Sequence, residues 1–159
     1  MDDKLWQFVD ANGELMSKSY GLPRMTGRVL AWLLVCDPSE QTAAELAEAL
    51  DASKGAISGA TGMLVRSRLV DRLHIRGERA DRFRFRPGAW EEQLRDPGLE
   101  QSRAVIAMGL DALAGEPAQR RTRLEEIDTF YEWWESRVLS LVDEFQEYKQ
   151  SKLERRGDD

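Results

Sequence analysis

Between Ser53 and Gly88 the chain places nine cationic side chains, Lys54, Arg66, Arg68, Arg72, Arg76, Arg79, Arg82, Arg84 and Arg86, against three acids, Asp71, Glu78 and Asp81. The local excess is six positive charges in a chain of 159 residues whose formal net charge is -6, so the remainder carries -12. A basic stripe on an acidic body is the footprint of local phosphate binding, and the acidic remainder limits non-specific adhesion. Ordinary solvated surface explains scattered charges better than this concentration. Other chemistry has little to work with. One cysteine, Cys36, excludes an internal disulfide and a thiol-based zinc site, and one histidine, His74, leaves few options for imidazole ligation. Cys36 ends an apolar helix with no cation beside it, and reads as a buried structural thiol rather than a redox sensor. His74 stands between Arg72 and Arg76, where surface or phosphate contact is favoured over metal binding. The pairs Glu91-Glu92 and Glu125-Glu126 are adjacent rather than on one helical face, and read as solvated surface. No catalytic residue, metal site or cofactor is expected, and an enzyme is the least favoured class.

The elements that must position the basic stripe follow from periodicity. From Lys4 to Tyr20 apolar residues recur at helical spacing (Leu5, Phe8, Val9, Leu15, Met16), and Gly21-Leu22-Pro23 closes that helix and starts the next. Arg24 to Cys36 is apolar along Val29 to Val35, which predicts a buried central helix ended by Asp37-Pro38. Thr42-Ala43-Ala44-Glu45 is a capping box opening a helix of about two turns. Asp51-Ala52-Ser53 forms a turn whose Ser53 caps a further helix from Lys54 to Arg68, with Ile57, Thr61 and Leu64 inward. Two short helices joined in this way read as a helix-turn-helix. From Val70 to Arg86 the period changes to 2: Leu73, Ile75, Phe83 and Phe85 are expected to face the helices, basic residues to project outward, and Gly77-Glu78-Arg79-Ala80 to supply the turn. A hairpin in this place is a wing.

Asp96-Pro97-Gly98 separates this unit, residues 1–96, from a helical region, residues 97–156, itself interrupted at Gly115-Glu116-Pro117. The last helix repeats Leu124, Ile127, Tyr131, Trp134, Val138, Leu141, Phe145 and Tyr148 at alternating spacings of three and four, a heptad seam that needs a partner. Packing on the first helix uses part of such a seam; a symmetric dimer uses all of it. The expected fold is mainly α with a small β-hairpin, a winged helix-turn-helix with long N- and C-terminal dimerisation helices. The acidic start, and the lack of any apolar run of membrane-spanning length, predict a soluble, cytoplasmic protein with no membrane partner.

These residues resemble the MarR-type winged-helix regulators, in particular the GbsR-like subgroup. Gly21-Leu22-Pro23-Arg24 with Gly27-Arg28-Val29 resembles its opening, Thr42 to Leu50 and Ser53-Lys54-Gly55-Ala56-Ile57-Ser58 its helix-turn-helix, and Arg68-Leu69-Val70 with Gly77-Glu78-Arg79 its wing. The similarity runs from about Leu5 to Glu92; beyond Pro97 only the general arrangement of helices is shared. It implies a homodimeric transcriptional regulator on double-stranded DNA. Each subunit would place one recognition helix in the major groove of a pseudo-palindromic operator, with the wing at the adjacent minor groove.

On the Lys54 helix, with Ile57 inward, Gly55, Ser58, Gly59, Gly62 and Arg66 fall on the outer face and Lys54 at its N-terminal edge. Together with Ser53 and the wing cations Arg76, Arg79 and Arg82, they form the expected DNA-binding set. Repression by occlusion is the default mechanism. The competing class is a winged helix used as a protein-interaction module, for which that outer face should be apolar. Trp6, Tyr20, Trp32, Trp90, Phe130 and Trp133 can line a pocket for a small-molecule effector, since aromatic cages suit cations. Aromatics at helical spacing are more often core, and core packing is the stronger reading.

Overall fold

Seven consecutive apolar residues, Val29 to Val35, cannot present a polar face to water in a helix; the computed structural model buries Val29, Leu30, Ala31 and Leu33 in the N-terminal unit and leaves Leu34 and Val35 exposed at the end of that helix. The structure describes residues 3–95 and 99–157. The chain divides into two units, Met1–Ala89 and Trp90–Asp159. The break expected at Asp96-Pro97-Gly98 lies outside the described residues, as do Met1 and Asp2.

In the first unit α1 (Asp3–Tyr20) packs on α2 (Arg24–Val35). Gly21 takes φ +64 after α1, a left-handed conformation that glycine adopts without strain. The crossing of the two helices is unusually close, and pattern reading gives no sign of it. A Cβ on Gly27 would stand 2.6 Å from the Asn12 carbonyl oxygen and 2.9 Å from the Gly13 Cα, and the Asn12 side-chain amide donates to the Gly27 carbonyl at 2.7 Å. Because the obstacle is backbone, Gly27→Ala should lower stability by about 1–3 kcal/mol, as overpacked cores do. A melting curve unchanged within a degree would show that the helices separate freely there.

Next come β1 (Gln41–Thr42), α3 (Ala43–Ala49), α4 (Lys54–Arg66), β2 (Val70–Leu73) and β3 (Arg82–Phe85). The capping box forms as its residues dictate: the Glu45 amide donates to Thr42 Oγ1 at 3.2 Å, and the Thr42 amide donates to Glu45 Oε2 at 2.6 Å. Asp51 carries the turn into α4 at φ +48, a conformation Asp tolerates better than most residues. Val9, Val29, Leu30, Leu46, Leu50, Ile57, Leu64, Val70 and Phe83 form one core joining α1 to α4 and the sheet.

The sheet is three-stranded and antiparallel, in the order β1-β3-β2. The expected two-stranded wing thus gains β1, too short to register as an alternating pattern. The face assignment also needs correction. Residues directly opposite share a face. The register pairs Val70 with Phe85 and Arg72 with Phe83 on the core side, and Asp71 with Arg84 and Leu73 with Arg82 on the other. Leu73 therefore lies away from Phe83. Ile75 lies beyond the strand, in a wing loop of residues 74–81 that is longer than the four-residue turn expected.

The second unit holds α6 (Leu99–Ala112) and the 40-residue α7 (Ala118–Gly157), preceded by α5 (Ala89–Arg95), which starts at the unit boundary. Arg103 on α6 reaches Asp128 at 3.0 Å and Glu135 at 2.7 Å on α7, and Gly109 makes room for Leu124. The buried Glu91 of α5 accepts from Lys149 at 2.7 Å, a bond that holds its carboxyl below the usual range. Among the described residues, no helix is long and apolar enough to cross a membrane.

Candidate nucleic-acid interface

Helix α4 exists because Ile57, Ala60, Thr61 and Leu64 bury one face, while Ser53 caps its start by accepting from the Ala56 amide at 3.2 Å. Three glycines on a 13-residue helix cost roughly 1 kcal/mol each relative to alanine. Gly55 and Gly59 face open space, with nothing within 4 Å of a built Cβ, and Gly62 meets only the Arg66 guanidinium at 3.5 Å. They are not a packing notch for a neighbouring element of this unit. Ser53, Lys54, Gly55, Ser58, Gly59 and Arg66 are exposed together on this face, with Gly62 half-buried. Beside it a groove of about 550 Å³ runs between α4 and the wing, lined in part by Ala44, Lys54, Ser58, Gly62, Arg72 and Asp81.

Eight of the nine cations, all but Arg68, separate into two groups, which their order in sequence conceals. Arg72 bonds Asp81 at 2.5 Å; Arg84 reaches Asp71 at 3.5 Å and Glu40 at 3.4 Å; Arg86 bonds Asp71 at 2.7 Å. Arg82 donates to Glu78 at 2.8 Å and lies 3.5 Å from Glu45. The structure therefore turns Arg82 away from the outward-facing set in which spacing had put it, because Glu45 and Glu78 compete for its guanidinium. Among the described residues Lys54, Arg66, Arg76 and Arg79 have no carboxylate within 4 Å, and all four are exposed. Two of them stand on α4 and two on the wing loop.

Asp81 organises the root of that loop. His74 Nδ1 lies 3.0 Å from one of its oxygens and Arg72 holds the other, and these bonds, the histidine's first, keep its carboxyl below the usual range. Gly77 at φ +95 makes the bend that carries Arg76 and Arg79 outward, with the Glu78 amide donating to the Ile75 carbonyl at 3.0 Å. Cys36 is half-buried beyond α2, and burial, before all else, pushes its thiol up, away from the thiolate a redox sensor needs.

The six aromatics considered for an effector pocket fall three in each unit. Trp6 lies under the Arg28 guanidinium, 5.1 Å from ring centroid to Cζ, and Tyr20 stands exposed at the other end of α1, roughly 21 Å along the helix axis. Trp32 packs against the core. Trp90, Phe130 and Trp133 are about half-exposed in the second unit, where Phe130 and Trp133 lie 6.2 Å apart on one helix.

The α7 seam is divided. Val138 is buried and Leu124, Tyr131 and Trp134 are half-buried, whereas Ile127, Leu141, Phe145 and Tyr148 are exposed, at 50% for Leu141 and 58% for Tyr148. Val142, outside the expected seam, is 1% exposed. Periodicity places both faces in one apolar band, and only the burial of the individual residues shows which half is already covered.

A helix-turn-helix with an open second helix, followed by an antiparallel wing, defines a winged-helix DNA-binding protein. The model of the MmpR5-like MarR family transcriptional regulators matches residues 88–148. The HTH-type transcriptional regulator MmpR5 of Mycobacterium tuberculosis (strain ATCC 25618 / H37Rv) is 37% identical over 140 residues, covering 87% of this chain and 84% of that protein. A crystal structure of a transcriptional regulator superposes with a TM-score of 0.81 at 35% identity, over 91% of this chain and 99% of that one. The chain belongs to the MmpR5-like MarR family of transcriptional regulators. The family match lies mostly on the C-terminal helices, where the sequence resemblance had extended only to their general arrangement.

Proposed function

We propose that this regulator binds a pseudo-palindromic operator as a homodimer in the cytoplasm and represses by occluding it. Each subunit inserts α4 in the major groove, and the wing loop lies at the adjacent minor groove. The observation that carries the reading is the α4 face itself. It is open, nearly free of side chains at Gly55 and Gly59, polar at Ser58, and flanked by cations that no carboxylate among the described residues neutralises. Missing side chains let a helix sit deep in the groove, Ser58 can bond a base edge or phosphate, and Lys54 beside the capped helix start suits a phosphate. Arg66, Arg76 and Arg79 supply further backbone and minor-groove contacts. A protein-docking winged helix would instead expose apolar residues there. Dimerisation is supported by the exposed half of the seam, Ile127, Leu141, Phe145 and Tyr148. The reading needs no effector. The finer GbsR-like placing rests on the sequence resemblance of the Gly21-Leu22-Pro23-Arg24 and Gly27-Arg28-Val29 opening, the helix-turn-helix residues Thr42 to Leu50 and Ser53 to Ser58, and the wing residues Arg68-Leu69-Val70 and Gly77-Glu78-Arg79.

Selection of genomic fragments by the purified protein tests the class. A recovered palindrome with half-sites one helical turn apart, or a multiple of it, is expected; recovery of unrelated fragments would sink the operator reading. The glycine face has its own test. Gly59→Ala should raise the melting temperature by a few degrees, since it gains about 1 kcal/mol of helix propensity and meets no neighbour. Gly59→Val should leave the dimer intact and weaken operator binding by steric contact. A lowered melting temperature for Gly59→Ala in the free protein would mean that the face is packed rather than open.

A further inference from the structure

We infer that Arg82 is a positioning residue, which ties the wing loop to the helix-turn-helix through one guanidinium instead of contacting DNA. Its Nε donates to Glu78 Oε2 in the wing loop at 2.8 Å, and its Nη1 donates to the Glu40 carbonyl before β1 at 3.3 Å. Nη1 also lies 3.5 Å from Glu45 Oε2 in the first turn of α3. That same Glu45 oxygen accepts from the Thr42 amide, and Thr42 pairs with Arg82 across the β1-β3 ladder. The α3 capping box, the edge strand and the loop bearing Arg76 and Arg79 therefore meet at one side chain, whose planar fork can hold several acceptors at fixed angles. Arg76 and Arg79 have no acid of their own to hold the loop, so its orientation relative to α4 depends on Gly77, on the Asp81 clamp at its root and on this junction.

The inference uses the DNA-binding reading only for its second measurement. In the first, hydrogen exchange is followed on the free full-length protein. Arg82→Gln should speed exchange both in residues 74–81 and in the first turn of α3; unchanged exchange in either segment overturns the coupling. In the second, affinity is measured over a range of salt for a duplex carrying the selected operator and for an unrelated duplex of equal length. Arg82→Gln should weaken operator binding about tenfold, the size of one charge-assisted hydrogen bond, with the salt slope unchanged. Arg82→Lys, which keeps the charge and loses the fork, should fail in the same way. Glu78→Gln removes a negative charge near DNA, yet should also weaken operator binding, because the loop is released. A slope reduced by roughly 0.9 per phosphate no longer neutralised would make Arg82 a phosphate ligand; that result, full rescue by lysine, or tighter binding by Glu78→Gln overturns the proposal. A wild-type protein that binds neither duplex would refute the DNA reading instead, and exchange alone would then decide the coupling.

Discussion

Leu141→Glu should yield a folded monomer. Leu141 is half-exposed on α7, in line with Ile127, Phe145 and Tyr148. Glutamate there meets water in the single chain and costs the fold little. In a symmetric dimer the substitution enters twice, and two carboxylates in an apolar contact cost several kcal/mol if buried without partners. Sedimentation should show the monomer while circular dichroism keeps the helical signal, and DNA binding should fall steeply because the two recognition helices are no longer linked. The neighbouring position supplies the contrast. Val142 is 1% exposed, so Val142→Glu would bury a carboxylate in the single chain and should lower the melting temperature rather than only separate the subunits. A stable Leu141→Glu dimer would assign the exposed stripe another role.

How much of this was legible in sequence depended on whether a feature was local. The capping box, the apolar run of α2, the change of period at Val70 and the inward face of α4 each express a propensity or periodicity within a few residues. They appear as read, apart from helix ends displaced by one or two residues and from Leu34 and Val35, which stand exposed at the end of α2. What sequence could not show involves residues far apart. Gly27 meets Asn12 and Gly13 only because two helices cross there. Strand β1 is two residues long and exists because β3 has a free edge to pair. The register that sends Leu73 away from Phe83 follows from how the two strands align, which alternation alone does not fix. The candidate site divides in the same way. The α4 face could be read from one helical wheel, whereas the diversion of Arg72, Arg82, Arg84 and Arg86 to internal carboxylates could not. Their acceptors include Glu40 and Glu45, which lie about 40 residues earlier.

That division of the cations sets the last expectation. If all nine were equivalent, alanine at any two wing arginines would have a similar effect on DNA binding. The structure ranks them differently: Arg76 and Arg79 project from the wing loop without a carboxylate partner, while Arg84 and Arg86 share Asp71. Phosphate can recruit the first pair at no internal cost, but must displace a carboxylate to recruit the second. Arg76→Ala/Arg79→Ala should therefore remove four phosphate or minor-groove contacts from a dimer, lowering the slope of log affinity against log salt by roughly 3.6 and the affinity by on the order of a thousandfold near 0.1 M salt. The loss should be similar for operator and unrelated duplexes, since backbone contacts position the protein without reading sequence. Helix content and the melting curve should be unaffected, because neither side chain makes a bond within the fold. The matched variant Arg84→Ala/Arg86→Ala should do the reverse, costing stability through an abandoned Asp71 while changing the slope little. Equal slopes for the two double variants would mean that the internal ion pairs open on DNA, and that the wing presents all its arginines to the duplex.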